Sequence, residues 1–229
     1  MAGGFRVKPC VIVRPEPGNQ ATAAAARALG LSVVAAPLYS IVPVEFNIDL
    51  SISYDAILIT SSNSIRTSLP VLKQLTHLPL LAVGEASAQA ARKAGFDTII
   101  TGDADGQALG QKAVELGFRH VLHLVGDPYK PVEVAGLTCD VRTAYRATEL
   151  PVPLELEAAL HSPCVILAHS PRAARRLSEL AGAKDASSLI ALSAQVAKAA
   201  GEGWKHLLWP ERSSADAMLG LAAPLCADE

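Results

Sequence analysis

Two stretches of the chain place hydroxyl and amide side chains directly after an apolar run and directly before a helix-like pattern. The first is "AILITSSNSIRTSL" (Ala56–Leu69), and about 108 positions later comes "CVILAHSPRAARRL" (Cys164–Leu177). In an open parallel sheet, ligands bind beyond the carboxyl ends of the strands, where helix N-termini present N–H groups and a positive dipole end. Such turns can bind carboxylates or phosphates without a net basic protein.

Other turns stand in the same position after other apolar runs. The whole set comprises Thr60–Ser64, Gly84–Ser87, Val125–Lys130, Ala168–Arg172 and Leu192–Gln195. Four basic residues at strand–helix junctions favour anion binding, namely Arg14, Arg66, Lys130 and Arg172. The alternative is purely structural, because Ser, Thr and Asn after a strand are ordinary helix caps that stabilise a helix by about 1 kcal/mol each.

Several other chemistries have no motif in the chain. There is no phosphate-binding G-x-x-x-x-G-K-[ST], no dinucleotide-binding G-x-G-x-x-G after a strand, and no G-x-S-x-G nucleophile turn. His120 and His123 are three apart on a predicted strand, so they point to opposite faces and form a poor metal pair. His169, at a predicted strand end, is either an acid or base or a structural histidine.

Composition sets further bounds. The chain has 229 residues, of which 50% are hydrophobic, and a net charge of −2, so nucleic acid and anionic membranes are not expected as partners. No apolar run reaches the roughly 18 residues of a membrane span, and the N-terminal stretch is not expected to be a signal peptide. The four scattered cysteines are expected to be reduced thiols of a cytoplasmic protein.

Short apolar runs alternate with helical patterns along the chain, which predicts parallel sheets with helices on both faces. The alternation contains an internal repeat: "LLAVGEASAQAARKAG" (Leu80–Gly95) corresponds to "LIALSAQVAKAAG" (Leu189–Gly201), and "TIITGDADGQALGQKA" corresponds to "HLLWPERSSADAMLGLA". Three matching blocks in one order, the opening pair included, predict two similar α/β units, although helix–strand alternation is itself generic.

The predicted topology has one domain inserted into another. We expect a first domain from residues 1–37 plus 152–229, a second from 52–138, and linker strands at 38–51 and 139–151. The linker segments are extended, β-branched and punctuated by proline, and two connections would make a hinge around a cleft. Two consecutive domains are the alternative.

Several segments, in order and spacing, resemble the uroporphyrinogen-III synthase family over nearly the whole chain. They are "VIVRP", "YDAILITSSNSIR", "LLAVGEASAQAARKAGF", "YRATELP", "VILAHSPRAARRL" and "SADAML". The resemblance implies two similar parallel-sheet α/β domains joined by a two-stranded linker, which agrees with the topology expected from the pattern alone.

The resemblance also implies an activity without cofactor or metal. The enzyme would cyclise hydroxymethylbilane, a linear tetrapyrrole polycarboxylate, with loss of water and inversion of ring D, to give uroporphyrinogen III in the cleft between the domains. It would be a cytoplasmic monomer with transient contact to hydroxymethylbilane synthase. A non-catalytic hinged binding protein for an anionic metabolite and an inactive tetrapyrrole-pathway subunit are the alternatives.

Site residues follow from the resemblance position by position. Tyr145 in "YRATELP" matches the family's linker tyrosine and would be the donor or general acid at the departing hydroxyl, unless it only packs at the hinge. The substrate-binding set would be Arg14, Ser61, Ser62, Asn63, Ser64, Gly84, Ser87, Ser170 and Arg172. The chain departs from the family pattern at "ALSAQVA", where Ser193 replaces a glycine and Gln195 and Val196 replace hydroxyl residues.

Overall fold

The computed structural model describes residues 8–102 and 105–227. The first seven residues of the N-terminal stretch, which is not expected to be a signal peptide, lie outside the described residues. The chain divides into two compact units. Ile41–Thr148 forms a central unit, and the described residues through Ser40 form a discontinuous unit with those from Glu149 onward. These division points lie a few residues from the predicted domain limits.

The discontinuous unit is built on a parallel sheet. Among the described residues it has five strands, in the order β11-β10-β9-β1-β2, and every pairing is parallel. All residues of β1, β9 and β10 are buried, as their continuous apolar sequence predicts. The strands are β1 (Cys10–Ile12), β2 (Val33–Ala35), β9 (Val165–Ala168), β10 (Ser188–Ala191) and β11 (His206–Leu208).

Helices cover both faces of this sheet. Val11 of β1 packs into one apolar cluster, while Cys10 and Ile12 pack into another on the opposite face. The helices are α1 (Gly18–Ala28), α6 (Leu154–Leu160), α7 (Pro171–Leu180), α8 (Ala194–Ala200) and α9 (Ala215–Ala227). Within the described chain, no helix is both long and apolar enough to span a membrane.

The central sheet is mixed, where the sequence predicted a parallel one. Its described strands run β3-β8-β7-β4-β5-β6, and the five from β8 to β6 pair in parallel. The edge strand β3 is antiparallel to β8. Two hydrogen bonds show this direction: the Leu150 N–H donates to the Leu38 carbonyl, and the Val44 N–H donates to the Ala144 carbonyl. The strands are β3 (Tyr39–Pro43), β4 (Ala56–Ile59), β5 (Leu80–Val83), β6 (Ile99–Gly102), β7 (His120–Asp127) and β8 (Thr138–Glu149).

The segments predicted as linker strands belong to this mixed sheet. The chain passes between the units inside β3 and near the end of β8, which are neighbours. β8 is more than a connection, because it pairs with β7 from Thr138 to Arg146. After β3 the chain leaves the strand conformation, and Phe46 and Ile48 pack against the central core.

The internal repeat has a topological counterpart. Strands β4, β5 and β6 of the central unit and β9, β10 and β11 of the discontinuous unit stand in the same order, each followed by a helix. β7 and β8 take the places that β1 and β2 take in the other sheet. The two units differ at that connection, since α1 joins β1 to β2 whereas residues 128–137 join β7 to β8 without a helix.

The helical pattern after Asn63 predicts one helix over Ser64–Leu75, and as a single element that prediction is wrong. The structure has α2 (Ser62–Thr67) and a separate short helix, α3 (Leu69–Leu72). Pro70 lies in the first turn of α3, where its missing N–H is tolerated, but inside a continuous helix it would break the hydrogen-bond ladder. The remaining central helices are α4 (Glu85–Lys93) and α5 (Gly106–Glu115).

One buried histidine lies inside the central sheet. His123 of β7 is fully buried, and neither ring nitrogen has a hydrogen-bond partner in the described structure. Its ring meets that of Tyr129 edge-on at 6.2 Å. Burial lowers the pKa of His123 to about 4, because charging the imidazole there would remove it from water without compensation.

Replacing His123 with leucine should stabilise the protein, by about 1–3 kcal/mol, since a buried polar group without a partner costs that much. The gain should grow in acid. Between pH 6.5 and about 4 the unfolded chain binds a proton at His123 that the folded chain does not, so stability falls as pH falls, by up to about 3 kcal/mol for this group. Urea unfolding at pH 7 and pH 5 measures both effects; an equal shift at the two pH values would contradict the acid-dependent part.

Candidate functional site

The residues of interest in the central unit converge at the carboxyl ends of β4, β5 and β7. Ile59 of β4 pairs with Leu124 of β7, so Ser61 and Gly126 both lie two residues beyond that pair. Polar groups collect at this edge because the strands themselves are buried and apolar.

The turn after β4 combines capping with partly exposed polar groups. Ser61 is the N-cap of α2, and its hydroxyl accepts a hydrogen bond from the Asn63 N–H at 3.2 Å, as the structural alternative expects. Ser62 and Asn63 are half-buried, whereas Ser64 is fully buried. The accessible part of this turn is therefore Ser61–Asn63, and the Ser64 hydroxyl lies in the interior.

The turn after β5 depends on glycine. Gly84 is the N-cap of α4 with φ +74°, a conformation that other residues adopt at a cost. Its carbonyl accepts hydrogen bonds from the N–H groups of Ser87 and Ala88, both at 3.2 Å. Since only 4% of Ser87 is exposed, the backbone and not the Ser87 hydroxyl is the accessible feature of this turn.

Tyr145 reaches the same edge through a β-bulge. Val125 of β7 pairs with Thr143 of β8. Gly126, the next residue of β7, pairs with Tyr145, which leaves Ala144 as an extra residue in β8. In a regular strand Tyr145 would point to the same face as Thr143. The bulge instead lets Ala144 and Tyr145 both pack against the core cluster under α2 and α4.

The bare backbone of Gly126 supports the ring of Tyr145. A Cβ atom at position 126 would lie 2.2 Å from Cζ of Tyr145 and 2.6 Å from its hydroxyl oxygen, well inside contact distance. Sequence reasoning placed Gly126 within the turn Val125–Lys130 but did not single it out; a glycine near the end of an otherwise apolar strand is a further signal for it.

The discontinuous unit brings a second group of residues to the carboxyl ends of its strands. Ile12 of β1 pairs with Leu167 of β9, so Arg14 and His169 both lie two residues beyond that pair. Ser170 caps α7, its hydroxyl accepting from the Ala173 N–H at 3.2 Å.

Both predicted arginines of this unit lie against neighbouring groups. The Arg172 guanidinium lies 5.5 Å from the centre of the Tyr39 ring. Arg14 donates to the Thr22 hydroxyl at 3.3 Å, and its guanidinium covers Gly18, where a Cβ atom would lie 2.5 Å from Arg14 Nε.

His169 does not fit an acid–base role near neutral pH. Burial lowers the pKa of His169 to about 3, and the positive charge of Arg14 acts in the same direction, against an opposing backbone contact with Leu167. The imidazole is thus neutral in the folded protein, and neither of its ring nitrogens has a hydrogen-bond partner in the described structure.

The turn that departs from the family pattern lies after β10. Ser193 is the N-cap of α8, but its side chain makes no capping hydrogen bond in the described residues. Gln195 is exposed, and Val196 is buried in the core.

Comparisons with known proteins bear on the whole chain. The family model described as uroporphyrinogen-III synthase HemD matches residues 20–220. The chain belongs to the uroporphyrinogen-III synthase family. No curated protein sequence was found to match it.

Two solved structures share the fold. The crystal structure of uroporphyrinogen-III synthetase from Helicobacter pylori is 17% identical, with a TM-score of 0.63, over 95% of this chain and 99% of the other. A mutant uroporphyrinogen III synthase from the extremely thermophilic bacterium Thermus thermophilus is 21% identical, with a TM-score of 0.61, over 96% of this chain and 100% of the other.

As a uroporphyrinogen-III synthase, the chain is a lyase of porphyrin and heme biosynthesis. It cyclises hydroxymethylbilane to uroporphyrinogen III with loss of water and inversion of ring D. The alternatives of a binding protein without chemistry and of an inactive pathway subunit are not favoured by this family membership.

If Tyr145 takes part in the reaction, as its match to the family's linker tyrosine predicts, replacing Gly126 with alanine should lower kcat by about 10-fold or more, because a displaced reacting group loses its alignment. The added methyl group would occupy the space of the Tyr145 ring. Gly220→Ala is the matched control, since a Cβ atom there meets no atom within 4 Å. The measurement is the rate of formation of uroporphyrinogen III from freshly generated hydroxymethylbilane. A full rate in Gly126→Ala would show that Tyr145 needs no such support.

Proposed function

We propose that Tyr145 is the general acid of the synthase reaction and that the turns beside it bind carboxylates of hydroxymethylbilane. The observation that carries this proposal is the bulge in β8, which places the Tyr145 ring over Gly126. Gly126 and Ser61 lie equally far along the neighbouring strands β7 and β4, each two residues beyond the pair Ile59–Leu124. Bulges next to active sites commonly redirect a side chain in this way.

The proposed step conserves atoms and charge. The Tyr145 hydroxyl gives its proton to the hydroxymethyl oxygen as the carbon–oxygen bond breaks, so that water leaves and the bilane becomes a cation. After ring closure, a pyrrole carbon loses a proton, which returns to the Tyr145 oxygen. The tyrosine is thereby regenerated, and the net change in the substrate is the loss of one water molecule.

Positioning is the larger task of the protein. Hydroxymethylbilane closes without an enzyme to the isomer in which ring D is not inverted, so the protein has to hold one conformation before closure occurs. We propose that Ser61, Ser62 and Asn63 bind a substrate carboxylate in the central unit. The backbone N–H groups that follow Gly84 are proposed to bind a substrate carboxylate as well. The N-terminus of a helix such as α4 carries a partial positive charge and free N–H groups, which favour binding of a negatively charged carboxylate.

The discontinuous unit is proposed to bind further carboxylates of the substrate. Arg14 follows β1, and Ser170 and Arg172 follow β9; these are neighbouring inner strands of the sheet. Arginine suits such a role because its planar guanidinium can donate two parallel hydrogen bonds to one carboxylate. The buried side chains of Ser64 and Ser87 have no direct part in this proposal.

The cellular setting is part of the proposal. We propose a cytoplasmic monomer that receives its short-lived substrate through transient contact with hydroxymethylbilane synthase. The four cysteines support a reducing compartment, as all of them are free thiols and three are buried.

Replacing Tyr145 with phenylalanine should lower kcat by about 100-fold, the usual range for losing a general acid, and leave the fold intact. Tyr129→Phe is the matched control, because that tyrosine is 44% exposed on the loop after β7. Product isomers should be separated after incubation with freshly generated hydroxymethylbilane. Formation of the type I isomer alone by the unmodified protein would refute the synthase activity itself, whereas unchanged kinetics in Tyr145→Phe would refute only the role of Tyr145.

Ser61→Ala and Ser62→Ala should separate capping from substrate binding. Loss of the Ser61 cap should lower the free energy of unfolding by about 1 kcal/mol. Loss of the Ser62 hydroxyl should cost little stability and raise KM by about 2- to 10-fold, the value of one hydrogen bond. Chemical denaturation and steady-state kinetics measure the two effects. An unchanged KM in Ser62→Ala would exclude its hydroxyl from the site.

A further inference from the structure

An open cleft in the discontinuous unit follows α7 from the first turn of that helix to its last. Its volume is about 420 Å³, within the range of about 300–1,000 Å³ that is usual for ligand pockets. Every residue that lines the cleft belongs to the discontinuous unit. Three of the lining side chains are arginines of α7, namely Arg172, Arg175 and Arg176, and two are carboxylates, Glu149 and Glu179. Positive charge is therefore in excess in the cleft.

Two of these arginines lie against one aromatic ring. The guanidinium carbon of Arg172 is 5.5 Å from the centre of the Tyr39 ring, and that of Arg176 is 5.9 Å from it. Tyr39 is buried in the core cluster of the unit, so its ring is a fixed platform for both cations. Two like charges one helical turn apart repel each other. An anion bound in the cleft would relieve that repulsion.

Arg176 is the most firmly held cation of the cleft. Its guanidinium donates from Nη2 to the Leu150 carbonyl at 3.1 Å, and Nη1 forms an ion pair with Oε1 of Glu149. Only 14% of the Arg176 side chain is exposed. Its Nε is buried and has no hydrogen-bond partner among the described residues. A carboxylate that accepts two hydrogen bonds from one guanidinium would satisfy this donor.

Glu149 is held less firmly than Arg176. It is the last residue of β8, and its side chain is 60% exposed. Ion pairs with an exposed partner contribute little to stability, because water competes for the charged groups. The carboxylate of a ligand can therefore replace that of Glu149 on Arg176.

We propose that this cleft binds a carboxylate side arm of hydroxymethylbilane, with Arg176 as a substrate-binding residue and Glu149 as the internal carboxylate that the substrate displaces. The inference rests on the proposed function, because Arg172, which lines the same cleft, is one of the proposed carboxylate ligands. The Tyr39 ring fixes the directions of the two guanidiniums, so that they are ordered before the substrate arrives. Binding here exchanges one carboxylate for another on Arg176, and no proton is transferred.

Replacing the two partners of the ion pair should change KM in opposite directions. Arg176→Gln should raise KM by about 10-fold, the value of hydrogen bonds to a charged group, and leave kcat within about 2-fold. Glu149→Gln should lower KM by about 2- to 5-fold, because no internal carboxylate then competes with the substrate. Initial rates of uroporphyrinogen III formation, measured over a range of hydroxymethylbilane concentrations, give both constants. An unchanged KM in both variants, with thermal stability lowered in both, would show a purely structural ion pair and overturn the inference.

Matched controls and a stability check accompany these variants. Arg27→Gln and Glu202→Gln make the same changes of charge at exposed positions outside the cleft, and both should leave KM unchanged. Thermal unfolding shows whether each variant is folded. If Arg176→Gln does not fold, Glu149→Gln decides alone, since its side chain is largely exposed. A KM that is not lowered in Glu149→Gln would then overturn the inference.

Citrate distinguishes a substrate arm from a free anion as the ligand. As a small polycarboxylate, it should raise the thermal stability of the unmodified protein, compete with hydroxymethylbilane, and lose both effects in Arg176→Gln. Stabilisation by citrate that depends on Arg176, together with a KM that does not, would mean that the cleft binds a free anion. That result would overturn the assignment to the substrate.

Arg172→Gln separates this inference from the proposed function. We expect KM to rise in Arg172→Gln as well as in Arg176→Gln. A rise in Arg172→Gln alone would mean that the unit binds substrate carboxylates but that Arg176 takes no part. An unchanged KM in both would mean that carboxylate binding by these residues fails, and the inference fails with it. The outcome for Tyr145→Phe does not affect this test, because that variant changes kcat.

Discussion

Burial of both faces of the parallel strands is the constraint on which the rest of this structure depends. Strands such as β1, β4 and β9 are apolar and inaccessible along their whole length, so polar chemistry is possible only where they end. At those ends the chain turns into helices, and the turn residues must satisfy the first helical N–H groups. The same residues that cap the helices therefore stand where a ligand would bind, which explains why capping and binding cannot be separated from residue type alone.

In our proposal, local charge and not net charge binds the carboxylates of the substrate. With a net charge of −2, the chain as a whole does not attract anions. Some positive groups lie just beyond strand ends: Arg14 and Arg172 in one unit, and Arg66, on the short helix after β4, in the other. Short-range charge of this kind can hold a substrate in one conformation, and conformation decides which isomer of an intrinsically reactive molecule is formed.

The two units share an architecture but differ in the strand beside β7 and β1. They share strand order, yet only the central unit has the long β8, whose bulge brings a tyrosine to the strand ends. In the discontinuous unit the equivalent place in the sheet is taken by the three-residue strand β2. Its titratable residue at the strand ends, His169, is kept neutral by burial and by Arg14. In our proposal, the acid therefore comes from one unit, while both bind carboxylates.

The sequence by itself determined the α/β class, the positions of most strands and helices, the repeat, and the family. These features follow from local apolar runs, helical periodicity and turn residues, which each segment carries in its own residues. Only the tertiary structure decided the rest: the reversed edge strand β3, the bulge at Ala144, the ring of Tyr145 on Gly126, and the burial of Ser64, Ser87 and His123. Each of these depends on register or on contact between segments distant in the chain, and a one-residue change of register moves a side chain to the other face of a sheet.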